Sequence, residues 1–268
     1  ITQPINMTIP IYQADAFTEK TFGGNPAAVC PLKEWLPDAL MQNIALENNL
    51  AETAFIVREN NGYHIRWFTP TVEVDLCGHA TLAAAHIFFD HLQHTEKEIS
   101  FHSKSGLLKV RQQKNGQLTL DFPRDHFEKT TDIPPAIGEG LKIAVTEVYK
   151  GRFDYMVVAD SQQTIENLQP DFKTLATIKS RGVLVTARGN EADFVSRCFF
   201  PQSGIDEDPV TGSAHTLLTP YWAGVLGKNR LTAIQLSARK GYLDCELSGD
   251  RVLMSGYAVT YMKGEIII

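Results

Sequence analysis

Four polar residues in this chain stand where acid–base chemistry could occur. Glu52 lies in Leu50-Ala51-Glu52-Thr53, His79 in Cys77-Gly78-His79-Ala80-Thr81, Asp208 in Asp206-Glu207-Asp208-Pro209 and Ser213 in Thr211-Gly212-Ser213-Ala214. Two carboxylates and an imidazole beside a dry cleft are the components of general acid–base catalysis. Gly78 and Gly212 each open an apolar, helix-forming run. The first turn of a helix leaves N–H donors free and carries positive partial charge, and glycine there lets a ligand approach the backbone. Two such starts facing each other across a domain interface would cradle a carboxylate. Taken singly, the same residues have ordinary readings: turn glycines, a solvated helix-end glutamate, an acidic loop at 206–208. Their pairing favours the site.

Other candidates carry less. Cys77 could transfer protons as a thiol, but no second cysteine stands near Thr211, and a lone buried cysteine is usually inert. Ser213 and His215 are two apart on a helix, so their side chains diverge. His86, His91 and His94 lie on or near one helix with no acidic partner at metal-ligand spacing, so no metal is expected. G-x-S-x-G, the P-loop pattern and G-x-G-x-x-G are absent, which leaves nucleotide cofactors without support and the expectation at no cofactor.

These residues sit in a repeat. Arg66-Trp67-Phe68-Thr69-Pro70 precedes Cys77-Gly78-His79-Ala80, and Arg197-Cys198-Phe199-Phe200-Pro201 precedes Thr211-Gly212-Ser213-Ala214. R-x-F-x-P thus leads twice to G-[HS]-A and a helix, at nearly equal intervals, with strand-like Phe55–Val57 and Val183–Val185 upstream. A period this long marks a duplicated domain rather than a solenoid. Short strands are expected at 9–16, 27–30, 53–57 and 64–68, the last two joined by a turn at Asn60-Asn61-Gly62, with helices at 38–49 and 81–92. A meander follows at 98–103, 107–113 and 117–122. Residues 123–140, with Pro134-Pro135, read as a linker. The second half repeats the theme, with strands near 145–149, 155–159, 183–186 and 194–199, a helix at 214–225, and four strands from 234 to 268. The expected fold is α+β: two pseudo-symmetric domains, 7–124 and 125–268, each a mixed or antiparallel barrel-like sheet around a central apolar helix, with terminal strands free to cross between them.

The bulk properties are ordinary. The chain has 268 residues, 43% hydrophobic and 21% charged, and a net charge of −6, which disfavours nucleic acid or an anionic membrane as partner. No apolar run reaches the ~18 residues of a membrane span. Ile1–Asn6 lacks the regions of a secretion signal, Met7 reads as a native start, and the Asn6-Met7-Thr8 glycosylation pattern is set aside. Cys30, Cys77, Cys198 and Cys245 are widely spaced, as expected of reduced thiols in the cytoplasm.

Longer motifs resemble a known family. Ile11–Phe17 followed by Phe22-Gly23-Gly24-Asn25-Pro26-Ala27-Ala28-Val29, the Met41–Phe55 stretch, Phe68–Thr81 and Gly204–His215 are similar, in order, to the phenazine-biosynthesis PhzF-like proteins. The resemblance implies a diaminopimelate epimerase-like fold with the site between two domains, and a homodimer. It also implies cofactor-free proton transfer on a small carboxylate, as when the phenazine-pathway member isomerises trans-2,3-dihydro-3-hydroxyanthranilate. By this likeness Glu52 is the acid/base, with His79 and Asp208 as further catalytic residues. Gly78, Gly212, Ser213 and Asn25 bind substrate. Epimerase relatives use two opposed cysteines; here only Cys77 is near such a place. An amino-acid epimerase using Cys77 and a non-catalytic carboxylate-binding protein remain the alternatives.

Overall fold

The computed structural model describes residues 7–59 and 62–268, so the expected Asn60-Asn61-Gly62 turn and Asn6 fall outside the described residues in whole or part. Contacts divide the chain into two units. One runs to Leu120 and resumes at Gly256–Ile268; the other is Asp121–Ser255. The architecture is α+β, with a mixed sheet and one buried helix in each unit.

The first unit is built from β1 (Thr8–Ala16), β2 (Asn25–Leu32), α1 (Asp38–Asn48), β3 (Glu52–Glu59), β4 (Gly62–Phe68), β5 (Glu73–Val74), α2 (Gly78–Asp90), β6 (Glu98–Ser103), β7 (Gly106–Gln112) and β8 (Leu118–Pro123). The second uses β9 (Phe127–Lys129), α3 (Pro135–Leu141), β10 (Val148–Gly151), β11 (Asp154–Val158), α4 (Gln162–Glu166), α5 (Phe172–Leu175), β12 (Gly182–Arg188), β13 (Phe194–Phe200), β14 (Ile205–Asp208), α6 (Gly212–Leu226), β15 (Arg230–Gln235), β16 (Gly241–Ser248) and β17 (Arg251–Gly256). The last strand, β18 (Ala258–Ile267), pairs along β1, from Thr8↔Ile267 to Ala16↔Ala258. A division of the chain by sequence order counts this strand with the second half, but its ladder belongs to the first.

The pairings of the two units match strand for strand. In the first, β18–β1 and β1–β2 are antiparallel, β2–β3 parallel, β3–β4 antiparallel, β4–β6 parallel, and β6–β7–β8 antiparallel. In the second, β9–β10 and β10–β11 are antiparallel, β11–β12 parallel, β12–β13 antiparallel, β13–β15 parallel, and β15–β16–β17 antiparallel. The register matches as well: Phe55 faces Arg66, as Val185 faces Arg197. The repeated arginines do the same job. Arg66 grips Glu73 of β5 through Nε and Nη2 at 2.7 and 2.9 Å. Arg197 grips Glu207 of β14 the same way at 2.7 and 2.8 Å. Such bidentate pairs fix the loop that delivers the chain into each buried helix.

Both helices are apolar nearly all round because the sheets bury them. In α2, Leu82, Ala83, Ala84, Ala85 and Ile87 have no exposed surface, and the helix packs on β1, β2, β3, β7 and β18. In α6, Ala214, Leu217 and Leu218 are buried, and the helix packs on β15 and β16. The expected linker over 123–140 is instead built structure. β9 extends the second sheet, Phe127 packs on Tyr149 and Tyr221, and Ile137 and Leu141 of α3 enter the second unit's core. Pro134 and Pro135 act as the helix entry rather than a spacer, since proline suits a first helical turn.

Glu73 also receives Lys104 at 2.6 Å, and Arg66 first, then Lys104, hold its carboxyl down to about 2 from the ordinary 4.5. Its pairing therefore stabilises the fold above about pH 4.5, and that stability is lost as pH falls toward 2. Glu73→Gln is expected to cost about 1 kcal/mol at pH 7, allowing for solvent screening. It should also flatten the acid limb of stability against pH in urea-unfolding curves.

Candidate active site

In the first unit the frame brings three sequence-predicted residues together. Glu52 opens β3 and faces Ala27 of β2. Asn25, two residues earlier on β2, projects to the same face. His79 is the second residue of α2. Gly24 makes the entry to β2 possible: its φ is +58°, and a Cβ there would come within 2.1 Å of the Ala16 carbonyl oxygen. Asn48 Nδ2 donates to Thr53 Oγ1 at 3.0 Å and latches the end of α1 to the residue after Glu52.

His79 is addressed at both ring nitrogens. Its Nε2 lies 3.1 Å from Glu52 Oε2, while its Nδ1 lies 3.1 Å from Asn25 Nδ2 and 3.6 Å from Cys77 Sγ. The Asn25 carboxamide holds both a donor and an acceptor, so a flip serves either protonation state of the ring. His79 is 4% exposed and the Glu52 side chain 12%. Although close, Nε2 and Oε2 are out of line for a hydrogen bond, and neither has another such partner among the described residues. Burial opposes an imidazolium here, but the Cys77 sulfur, as a hydrogen-bond acceptor, and the Glu52 charge outweigh it and hold the His79 pKa well above 6.5. Burial, then the Glu52 charge, pushes the Cys77 thiol up to about 11, so Cys77 stays protonated at neutral pH.

Glu52, Cys77 and His79 offer ligand atoms within 4.8 Å of one another, a spacing a cation could use. Cys77 is nearest Nδ1 and Glu52 nearest Nε2, however, and one ion can take only one of those lone pairs. The other histidines go elsewhere: His86 and His91 both meet Thr260 Oγ1, at 2.9 and 2.8 Å. His86 does have an acidic neighbour one turn on, Asp90 at 3.5 Å, which the sequence reading overlooked.

In the second unit Asp208 ends β14 and accepts the Thr211 hydroxyl at 2.6 Å. Gln235, fully buried, spans this turn. Its Nε2 donates to the Asp208 carbonyl at 2.7 Å, and its Oε1 accepts from the Thr211 N–H at 2.8 Å. Gly212 and Ser213 follow as the first residues of α6. Neither α2 nor α6 has a side-chain cap bond at its start. Ser213 Oγ accepts from Arg181 Nη1 at 3.2 Å, and Arg181 is in turn paired with buried Asp154. His215 points away, its Nδ1 donating to the Thr211 carbonyl at 2.8 Å, and burial lowers it to about 4. Gln235, Arg181 and Asp154 escaped the sequence reading. Arg181 alone left a trace, standing next to the position that matches Glu52 in the repeat.

The two units share a duplicated mixed-sheet fold, and the first encloses a carboxylate–imidazole pair at the start of its buried helix. The comparisons agree. The phenazine biosynthesis-like protein family model matches residues 14–264. An uncharacterised isomerase of Pseudomonas aeruginosa is 52% identical over 260 residues, covering 97% of this chain and 99% of its own. A PhzF-family phenazine biosynthesis protein of Enterococcus faecalis superimposes with a TM-score of 0.94 at 46% identity, over 98% of this chain and 100% of that one. A predicted epimerase of Pseudomonas aeruginosa, with a TM-score of 0.76 at 20% identity over 96% and 99% of the two chains, shares the fold. This chain belongs to the phenazine biosynthesis-like (PhzF) family, a family of isomerase-like enzymes.

The His79 environment is directly measurable. By NMR of the imidazole, His79 is expected to titrate well above the ordinary 6.5. Glu52→Gln should lower its pKa, and Cys77→Ala should lower it by less, since a protonated thiol offers only a weak acceptor. A titration that none of these variants moves would contradict the arrangement.

Proposed function

We propose that the protein is a cofactor-independent isomerase that moves a proton on a small, cyclic or unsaturated carboxylate, with Glu52 as the acid/base. The observation that carries this reading is the pair Glu52 Oε2 and His79 Nε2: enclosed, 3.1 Å apart, and without an aligned hydrogen bond. A carboxylate whose oxygen is not already fully engaged can accept a substrate proton and return it at another carbon. His79 polarises the substrate while it holds Glu52, and Asn25 holds His79. The roles of Asp208, Gly78, Gly212 and Ser213, as groups that bind and polarise the substrate and its carboxylate, rest on family membership and on their uncapped helix starts.

A second reading, epimerisation through Cys77, draws on the 3.6 Å contact between its sulfur and His79. A thiol pushed up to about 11 is a poor base at neutral pH, and the repeat places Thr211 where a second cysteine would stand. Proton transfer by Glu52 is the stronger reading. The four cysteines are free and buried, no helix among the described residues is long and apolar enough to cross a membrane, and with the family resemblance the proposal includes a cytoplasmic homodimer.

The test is solvent-deuterium exchange followed by mass spectrometry, using dihydro-hydroxyanthranilate and a panel of small amino and unsaturated acids. Wild type should exchange at least one compound. Glu52→Gln should lose about 10²–10⁴-fold in rate while melting within a few degrees of wild type, and Cys77→Ser should retain most exchange. Full exchange by Glu52→Gln would place the base elsewhere. Ligand-induced stabilisation with no exchange on any compound would point to binding alone.

A further inference from the structure

The two units use equivalent places differently. β3 begins at Glu52, and the matching strand β12 begins at Gly182, since Thr53 faces Phe68 as Val183 faces Phe199. Gly182 has no room for a side chain, because a Cβ would lie 2.2 Å from the Phe200 ring. The polar group at this end of β12 is supplied by the residue before it, Arg181. In the first unit the strand-end side chain, Glu52, reaches the second residue of α2, His79. In the second the strand-end side chain, Arg181, reaches the second residue of α6, Ser213. The duplication has placed an acid at one helix start and a guanidinium at the other.

Arg181 is held on several sides. Its Nε donates to Asp154 Oδ1 at 2.9 Å and its Nη2 to Asp154 Oδ2. Phe153 and Phe200 lie with ring centroids 5.4 and 5.5 Å from the guanidinium carbon. The Asp154 side chain is 3% exposed, so it anchors the fork from inside the unit, while Arg181 remains about one-third exposed at 35%. Of the five guanidinium hydrogens, two go to Asp154 and one to Ser213. The consequence falls on the serine. A hydroxyl has one hydrogen and two lone pairs, and because Ser213 Oγ accepts from Arg181 with one of those lone pairs, its own O–H is left to donate. A hydroxyl polarised in this way suits an anion and disfavours a donor such as a neutral amide N–H.

We propose that Arg181 is a positioning residue that fixes the Ser213 hydroxyl as a hydrogen-bond donor to the anionic group of the substrate, and so selects a carboxylate over its neutral amide. The proposal rests on the reading above in which Ser213 contacts the substrate's carboxylate. Asp154 cancels the net charge of Arg181, so the pair acts through direction rather than through long-range attraction.

The experiment is calorimetric titration with 2-aminobenzoate and its neutral amide, 2-aminobenzamide. The variants are Arg181→Met, Ser213→Ala and the two combined. Wild type should bind the carboxylate at least about 10-fold more tightly, as expected of a hydrogen bond to a charged group. Arg181→Met and Ser213→Ala should each abolish most of that preference, and the combination should lose no more than Ser213→Ala alone. Arg181→Met strands a buried carboxylate, so Arg181→Met/Asp154→Asn is the companion variant if the single one does not fold. Arg181→Lys keeps the charge without the fork and should not restore the preference. The proposal is overturned by a wild type with no preference, by Arg181→Met or its companion keeping it, by full rescue with lysine, or by an Arg181 effect undiminished in Ser213→Ala. Binding needs no proton transfer. Exchange persisting in Glu52→Gln would therefore sink the base assignment and leave this result standing, whereas lost exchange with an unchanged binding cycle would do the reverse.

Discussion

An imidazole and a carboxylate 3.1 Å apart in an enclosed place are costly to desolvate, and they persist only where the surroundings hold them against that cost. The first unit is organised around this constraint. Gly24 turns the chain so that Asn25 can stand behind His79, α1 is latched beside Glu52, and the burial of α2 gives its first residues little freedom to move away. Each ring nitrogen of His79 has a neighbour, so its orientation is set before any ligand arrives. What is left unfinished is the alignment between His79 and Glu52. A fully satisfied pair would be more stable and less able to exchange a proton.

The second unit shows how much of this is frame and how much is chemistry. The arginine clamps Arg66–Glu73 and Arg197–Glu207, the parallel and antiparallel pairings, and the apolar helices repeat almost unchanged. The side chains at the helix starts do not. Where the first unit has Glu52, His79 and Asn25, the second has Arg181, Ser213 and a turn braced by Gln235. The frame tolerates this exchange because its stability comes from the clamps and the buried helices, away from the variable positions.

The repeat made the architecture readable from sequence, because the residues that define it act locally. Arginine and glutamate in each clamp stand on successive strands, seven and ten residues apart, and glycine marks each helix start. Glu52 and His79 were legible because both stand in motifs with a recognisable family likeness. Arg181, Asp154 and Gln235 were not, since each acts on a residue far away in the chain: Arg181 on Ser213, and Gln235 on Asp208 and Thr211. No spacing rule encodes such contacts. Residues 123–140 misled for another reason. Polar composition and two prolines suggested a linker, but tertiary packing of Phe127, Ile137 and Leu141 overrides local propensity there.

The pairing of β1 with β18 ties one of the earliest strands of the chain to the last. Met7 and Ile268 exchange backbone hydrogen bonds at 2.8 and 2.9 Å. A growing polypeptide therefore completes its second unit before its first. Until β18 has emerged, β1 has an open edge. The price is slow, long-range closure. It also means that a stalled or clipped chain exposes its defect in the very unit that carries Glu52 and His79.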